Sequence, residues 1–208
     1  MLTNVAGYEY AIGYVSLGSI SDAIKVMKID GVEATPENVK NGTYKIARPF
    51  NIATKGEPTG LARDFITYIL SSEGQEVVAN SYISITDDAP AYNGDKPAGK
   101  IVVAGSSSVT PIMEKLKEPY EQVNPNAEIE NQLSDSTAGM NAAIDGTCDI
   151  GMASRSLKDS EKEQLNGIEI ALDGIAIITN SANTIDNLTT ENVKDIFTGE
   201  ITIWSDIQ

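Results

Sequence analysis

The sequence predicts an α/β protein with a mainly parallel sheet flanked by helices. Two observations carry this. From residue 101 onward, short apolar runs alternate with capped stretches of helical periodicity, which is the pattern of strands returned to one sheet by crossover helices. Small polar residues sit where each apolar run ends and the next helical stretch begins, as at Gly105-Ser106-Ser107-Ser108 and Ser134-Asp135-Ser136-Thr137.

Taken in order, Tyr8 to Leu17 reads as a strand through Ile12, Tyr14 and Val15, and Ala23 to Ile29 reads as a second, closed by the turn Asp30-Gly31. Thr35-Pro36-Glu37 is a helix start, with a hydroxyl cap, proline in the first turn and an early acid. Ala47 to Thr54 is a strand. Leu61, Phe65 and Ile69, with Ala62, Ile66 and Leu70, repeat at helical spacing, and Ser71-Ser72-Glu73 restarts a helix to about Ala79. Residues 84–100, with Pro90 and Pro97 and no periodicity, read as a linker. Beyond it come strand 101–104, helix 110–122, strand 127–133, helix 137–145, strand 149–153, helix 159–165 and strand 168–178. The tail predicts a helix capped by Thr189 and closed by Gly199, then Ile201 to Trp204.

Composition removes several classes of function. The 208 residues contain no histidine and one cysteine, Cys148. Ser-His and Cys-His catalysis, histidine-rich zinc sites, multi-cysteine metal sites and an intrachain disulfide are therefore all excluded. A serine nucleophile would need lysine or a carboxylate as its base, and no Ser-x-x-Lys stands out, so the sequence predicts no catalysis and no cofactor. The formal charge of −15 argues against nucleic acid, which needs a basic face. No apolar run reaches membrane-spanning length. Met1 to Gly7 shows no basic region followed by a long apolar segment, so no signal peptide is read; a cytoplasmic protein or a lost start both fit.

A small oxyanion is compatible with an acidic chain if a pocket of N–H and O–H dipoles holds it. Ser106, Ser107 and Ser108 precede a helix with Pro111 in its first turn; Ser136 and Thr137 stand at a second strand-to-helix junction; Arg155 follows the strand 149–153. In an open parallel sheet these strand ends share one edge, where helix N-termini converge. The six residues therefore form a candidate site for a tetrahedral oxyanion, with arginine as a bidentate partner. Each has a plainer reading: Ser136 or Thr137 as an N-cap, Arg155 as a surface residue or an ion-pair partner of Asp149 or Asp159.

The motifs Gly105-Ser106-Ser107-Ser108-Val109, Asp145 to Gly151, Ala153-Ser154-Arg155, Ala171 to Ala176 and Ile196-Phe197-Thr198-Gly199-Glu200-Ile201-Thr202 with Trp204 resemble the N-terminal part of the periplasmic-type phosphate-binding proteins of ABC importers. Residues 11–18, Tyr44 to Lys55 and Ser72-Glu73-Gly74-Gln75 resemble the C-terminal part of the same family. The order is permuted, and the Ser-Gly-Thr helix start of the family's middle is absent. The resemblance implies a two-lobed fold with crossing strands at Ile46 to Thr54 and Gly174 to Asn180. Residues 46–178 would be one complete α/β lobe, and residues 1–45 and 179–208 the edges of an incomplete second lobe. Such a chain is either a circular permutant with a deletion or a slice through a tandem array.

By the same resemblance the ligand is inorganic phosphate, the partner an ABC permease and the location extracytoplasmic. Ser107 and Ser108 match the first helix-start contacts and Ser136 the second. Arg155 stands where some members have an aspartate that accepts the proton of hydrogen phosphate, which leaves sulfate open as a ligand; Asp135 is an alternative acceptor. An incomplete lobe also implies exposed sheet faces, and so a homo-oligomer as a second reading.

Overall fold

A computed structural model describes residues Met1–Ile207. In chain order the elements are α1 (Leu2–Gly7), β1 (Ile12–Ser16), β2 (Lys25–Val26), β3 (Lys28–Ile29), α2 (Pro36–Lys40), β4 (Ala47–Thr54), α3 (Gly60–Ile69), α4 (Ser72–Ala79), β5 (Gly99–Ser106), α5 (Thr110–Val123), β6 (Ala127–Ser134), α6 (Ser136–Asp145), β7 (Ile150–Ala153), α7 (Asp159–Lys162), β8 (Asn166–Thr179), β9 (Asn187–Leu188) and α8 (Thr190–Thr198). The chain divides into two compact units, Arg48–Leu172 and Met1–Ala47 with Asp173–Gln208.

Within Arg48–Leu172 the strand order is β4-β7-β5-β6. β5 pairs in parallel with β6 from Gly99↔Ala127 to Ser106↔Ser134, and with β7 from Val103↔Ile150 to Gly105↔Met152. The predicted parallel arrangement holds for these pairs, because a crossover helix brings each strand back from the same end. β4 lies outside that alternation and pairs antiparallel with β7, setting Asn51 opposite Ala153. The ends of β5, β6 and β7 therefore share one edge, and Asn51 joins them there.

Two apolar layers hold this sheet. Phe50, Ile52, Phe65, Ile69, Ile112, Leu116 and Tyr120 belong to the larger, which buries the stripes of α3 and α5. Ala53, Ala104, Met140, Ala143 and Ala153 belong to the smaller, under α6. Its small residues allow α6 to lie very close to the sheet. A Cβ on Gly139 would sit 2.5 Å from the Gly105 Cα and 2.7 Å from the Ala104 carbonyl oxygen, so only glycine fits there.

In the other unit, β1 and β2 both pair antiparallel with the last part of β8, and β3 pairs in parallel with β9. Val5, Ile24, Ala176 and Ile178 form one buried apolar cluster in it. Here the sequence reading needs correction. The strand expected over Tyr8 to Leu17 is confined to Ile12–Ser16, and α1 precedes it. The strand expected over Ala23 to Ile29 is two short pieces with different partners, β2 on β8 and β3 on β9. Ile201 to Trp204, which the sequence leaves without an assigned element, leads into a 3-10 turn over Trp204–Asp206. The helix of the tail is as expected: Thr189 Oγ1 accepts the Asn192 amide, and Gly199 closes it at φ +83°.

Candidate functional site

The candidate residues all lie in Arg48–Leu172, on the shared strand edge. Ser106 ends β5 and is buried. Its hydroxyl donates to Ser154 Oγ at 3.0 Å and accepts the Ser108 amide at 3.3 Å. The Ser154 amide in turn donates to Ser136 Oγ at 3.1 Å. Three hydroxyls from the ends of β5 and β7 and the start of α6 are thereby knitted together. The directions of these bonds leave the hydroxyl protons of Ser136 and Ser154 available to a further acceptor.

The backbone amides are disposed differently from the sequence expectation. The Ser107 amide donates to the Ser134 carbonyl of β6 at 3.0 Å and the Val109 amide to the Ser106 carbonyl at 3.0 Å, so both amides already have partners. The N-cap of α6 is neither Ser136 nor Thr137. It is Asp135, whose Oδ1 accepts the amides of Thr137 at 2.8 Å and Ala138 at 2.9 Å. A carboxylate there complements the helix dipole, and an arriving anion would compete with it for those two N–H groups.

Arg155 is engaged as well. Its two terminal nitrogens bind the two oxygens of Glu161 at 2.8 Å each, a fork-on-carboxylate pair, and Nη2 lies 3.4 Å from Thr137 Oγ1. The partner is Glu161 on α7, not Asp149 or Asp159. Glu161 also accepts the Lys158 amide at 2.8 Å. The guanidinium holds the Glu161 carboxyl below the usual carboxylate range, against its desolvation, and the carboxylate raises the Arg155 pKa in return. The Asn51 side chain fixes the same corner by donating to the Arg155 carbonyl at 3.0 Å.

Ser106, Ser136, Thr137 and Arg155 are thus brought into one connected set, and Ser108 joins it through its amide. Ser107 contributes only its backbone to β6, and its side chain is exposed. Asp135, read from sequence as an alternative acceptor for hydrogen phosphate, caps α6, and Ser154, Glu161 and Asn51 were not singled out from sequence. Ser154 lies inside the Ala153-Ser154-Arg155 motif and Asn51 inside the Tyr44 to Lys55 motif, so a local signal existed for both; Glu161 carried none. Among the described residues no group of three or more His, Cys, Asp or Glu side chains is placed to hold a metal ion. Cys148 is buried, and burial pushes its thiol up to about 11.

The family model described as a PBP superfamily domain matches residues 90–208. Phosphate-binding protein PstS 2 of Streptococcus agalactiae serotype V is 52% identical over 210 residues, which take in 100% of this chain and 71% of that protein. Phosphate-binding protein PstS 2 of Streptococcus pneumoniae serotype 4 is 40% identical over 209 residues, 100% of this chain and 72% of that protein. The crystal structure of a phosphate ABC transporter, phosphate-binding protein from Streptococcus pneumoniae TIGR4 superimposes with a TM-score of 0.92 at 40% identity, covering 100% of this chain and 81% of that one. The chain belongs to the PBP superfamily and, within it, to the phosphate-binding proteins of ABC importers.

Proposed function

We propose that this chain binds inorganic phosphate at the strand edge just described, as the solute-binding component of an ABC importer or a fragment of one, without catalysis. The observation that carries the reading is the linked set Ser106–Ser154–Ser136, three hydroxyls at adjoining strand and helix ends in a chain 52% identical to a phosphate-binding protein. Ser106, Ser107, Ser108, Ser136, Thr137 and Arg155 are proposed to line it. The pairing of Arg155 with Glu161 favours recognition by hydroxyl dipoles over recognition by a net positive charge. It also leaves sulfate as a competitor for this wall. Calorimetric titration of the folded chain with phosphate and with sulfate tests the proposal: heat and saturation with phosphate support it, and no heat with either at millimolar ligand refutes it.

We further propose that residues 46–178 act as the complete lobe and residues 1–45 with 179–208 as edges of an incomplete one, in permuted order. The match to a relative over 210 residues, taking in 100% of this chain, favours an order shared with relatives over a rearrangement peculiar to this chain. The partner would be a membrane permease and the location extracytoplasmic; no helix among the described residues is long and apolar enough to cross a membrane.

A second reading, association of copies through the incomplete lobe, has one observation in its favour. Tyr8, Tyr10, Phe197 and Ile203 are exposed on the Met1–Ala47 and Asp173–Gln208 unit, and Tyr10 and Ile203 with Trp204 line part of a cavity of about 80 Å³.

A further inference from the structure

The segment from Ala89 to Ala98 has no helix or strand, yet it is fastened to the Arg48–Leu172 unit at several points. At one end the Pro90 carbonyl accepts the Ser72 amide at 2.8 Å, and the Tyr92 amide donates to Glu73 at 2.8 Å. At the other, the Pro97 carbonyl accepts from the Asn124 side chain at 2.9 Å. Between them lies Asp64, a buried carboxylate on α3 that the phosphate reading does not use. Its Oδ2 accepts the Tyr92 hydroxyl at 2.6 Å and the Tyr120 hydroxyl at 2.7 Å, and its Oδ1 lies 3.4 Å from the Lys96 amide.

The backbone is shaped to reach this carboxylate. Lys96 takes the left-handed conformation, φ +51°, uncommon for a residue with a side chain. Gly94 passes so close that a Cβ there would stand 2.2 Å from Asp64 Oδ1. The apolar contribution of the segment is small, chiefly the Tyr92 ring edge-on to Tyr68 and Tyr120 at 5.4 and 6.3 Å. A segment with few apolar contacts, held mainly by polar bonds, is a unit of local opening.

We propose that Asp64 is the latch of this segment: its carboxylate holds residues 92–97 down as a strap over α3 and α5, and the strap opens as one piece without disturbing the sheet beneath. Burial and the Asp64 carboxylate both raise the Tyr92 phenol pKa, so that hydroxyl keeps its proton and remains a donor.

Hydrogen exchange by mass spectrometry on the intact chain tests this, comparing wild type with Asp64→Asn, which has the same shape but turns one acceptor into a donor facing a phenol. The expected result is at least tenfold faster exchange in peptides covering 92–97, with β5 and β6 peptides unchanged. Equal strap exchange in the two proteins overturns the proposal, and so does uniform acceleration across the Arg48–Leu172 unit. If circular dichroism finds Asp64→Asn unfolded, Tyr92→Phe decides. It removes one strap donor and leaves the carboxylate with Tyr120, so faster exchange confined to the strap supports the latch and unchanged exchange overturns it.

Discussion

Replacing Gly139 with alanine sets two known effects against each other. Gly139 lies in the first turn of α6, immediately after the residues that present Ser136 and Thr137. The new Cβ would meet the Gly105 Cα at 2.5 Å, the Ala104 carbonyl oxygen at 2.7 Å and the Met152 carbonyl oxygen at 3.0 Å. Carbon atoms in contact prefer roughly 3.5–4.0 Å. All three obstacles are backbone atoms of β5 and β7 in the middle of a sheet, so the helix must lift by about 1 Å, as judged from that contact distance. Overpacking of this kind costs about 1–3 kcal/mol, and the lift also loosens Met140 and Ala143 from the layer they share with Ala104. Alanine returns roughly 1 kcal/mol through helix propensity. The expected net destabilisation is about 1 kcal/mol, or a fall in melting temperature on the order of 3 °C for a chain of this size. Thermal and urea unfolding measure it. Gly7→Ala is the internal control: a Cβ there has nothing within 4 Å at the end of α1, and the variant should be neutral or slightly stabilised. A Gly139→Ala protein as stable as wild type would refute the close approach of α6 to the sheet at this glycine.

Three further outcomes are expected. Ser136→Ala removes a hydroxyl donor from the proposed phosphate wall and should weaken phosphate binding by about 1–3 kcal/mol in calorimetry; unchanged affinity would leave Ser136 with only its bond to the Ser154 amide. Glu161→Gln should destabilise the chain at neutral pH by about 1–3 kcal/mol, the value of a hydrogen-bonded charge pair with one buried member. Because Arg155 depresses the Glu161 pKa in the folded chain, that contribution is present above the unfolded carboxylate pKa of about 4.3 and is lost as pH falls through the lower folded value. The gap between wild type and variant should therefore close in acid, and a gap that widens there would contradict the pairing. If the exposed apolar residues of the Met1–Ala47 and Asp173–Gln208 unit drive association, light scattering should show a mass that rises with concentration and falls on Phe197→Ser; a constant monomer mass would exclude it.

The helix ends were legible because their signals are local. Thr35 before Pro36, Ser71 before Ser72 and Thr189 with Gly199 each satisfy orphan backbone groups within a few residues, and the structure uses all of them. α1 was not legible: among its six residues only Val5 is buried, too little to make a periodic stripe. The division of Ala23 to Ile29 into β2 and β3 depends on two partners more than 140 residues away, β8 and β9.

The sequence alone determined the α/β class, the family and the presence of small hydroxyl residues at the ends of β5, β6 and β7, since periodicity, caps and motif order are properties of neighbours in the chain. Only the tertiary structure decided which atoms those residues turn to one another. That Ser154 joins Ser106 to Ser136 follows from the strand registers, which bring to one edge polar groups that must find partners once removed from water. Asp135 on the α6 amides and Arg155 on Glu161 are instead contacts within six residues of chain, whose geometry the folded loops set.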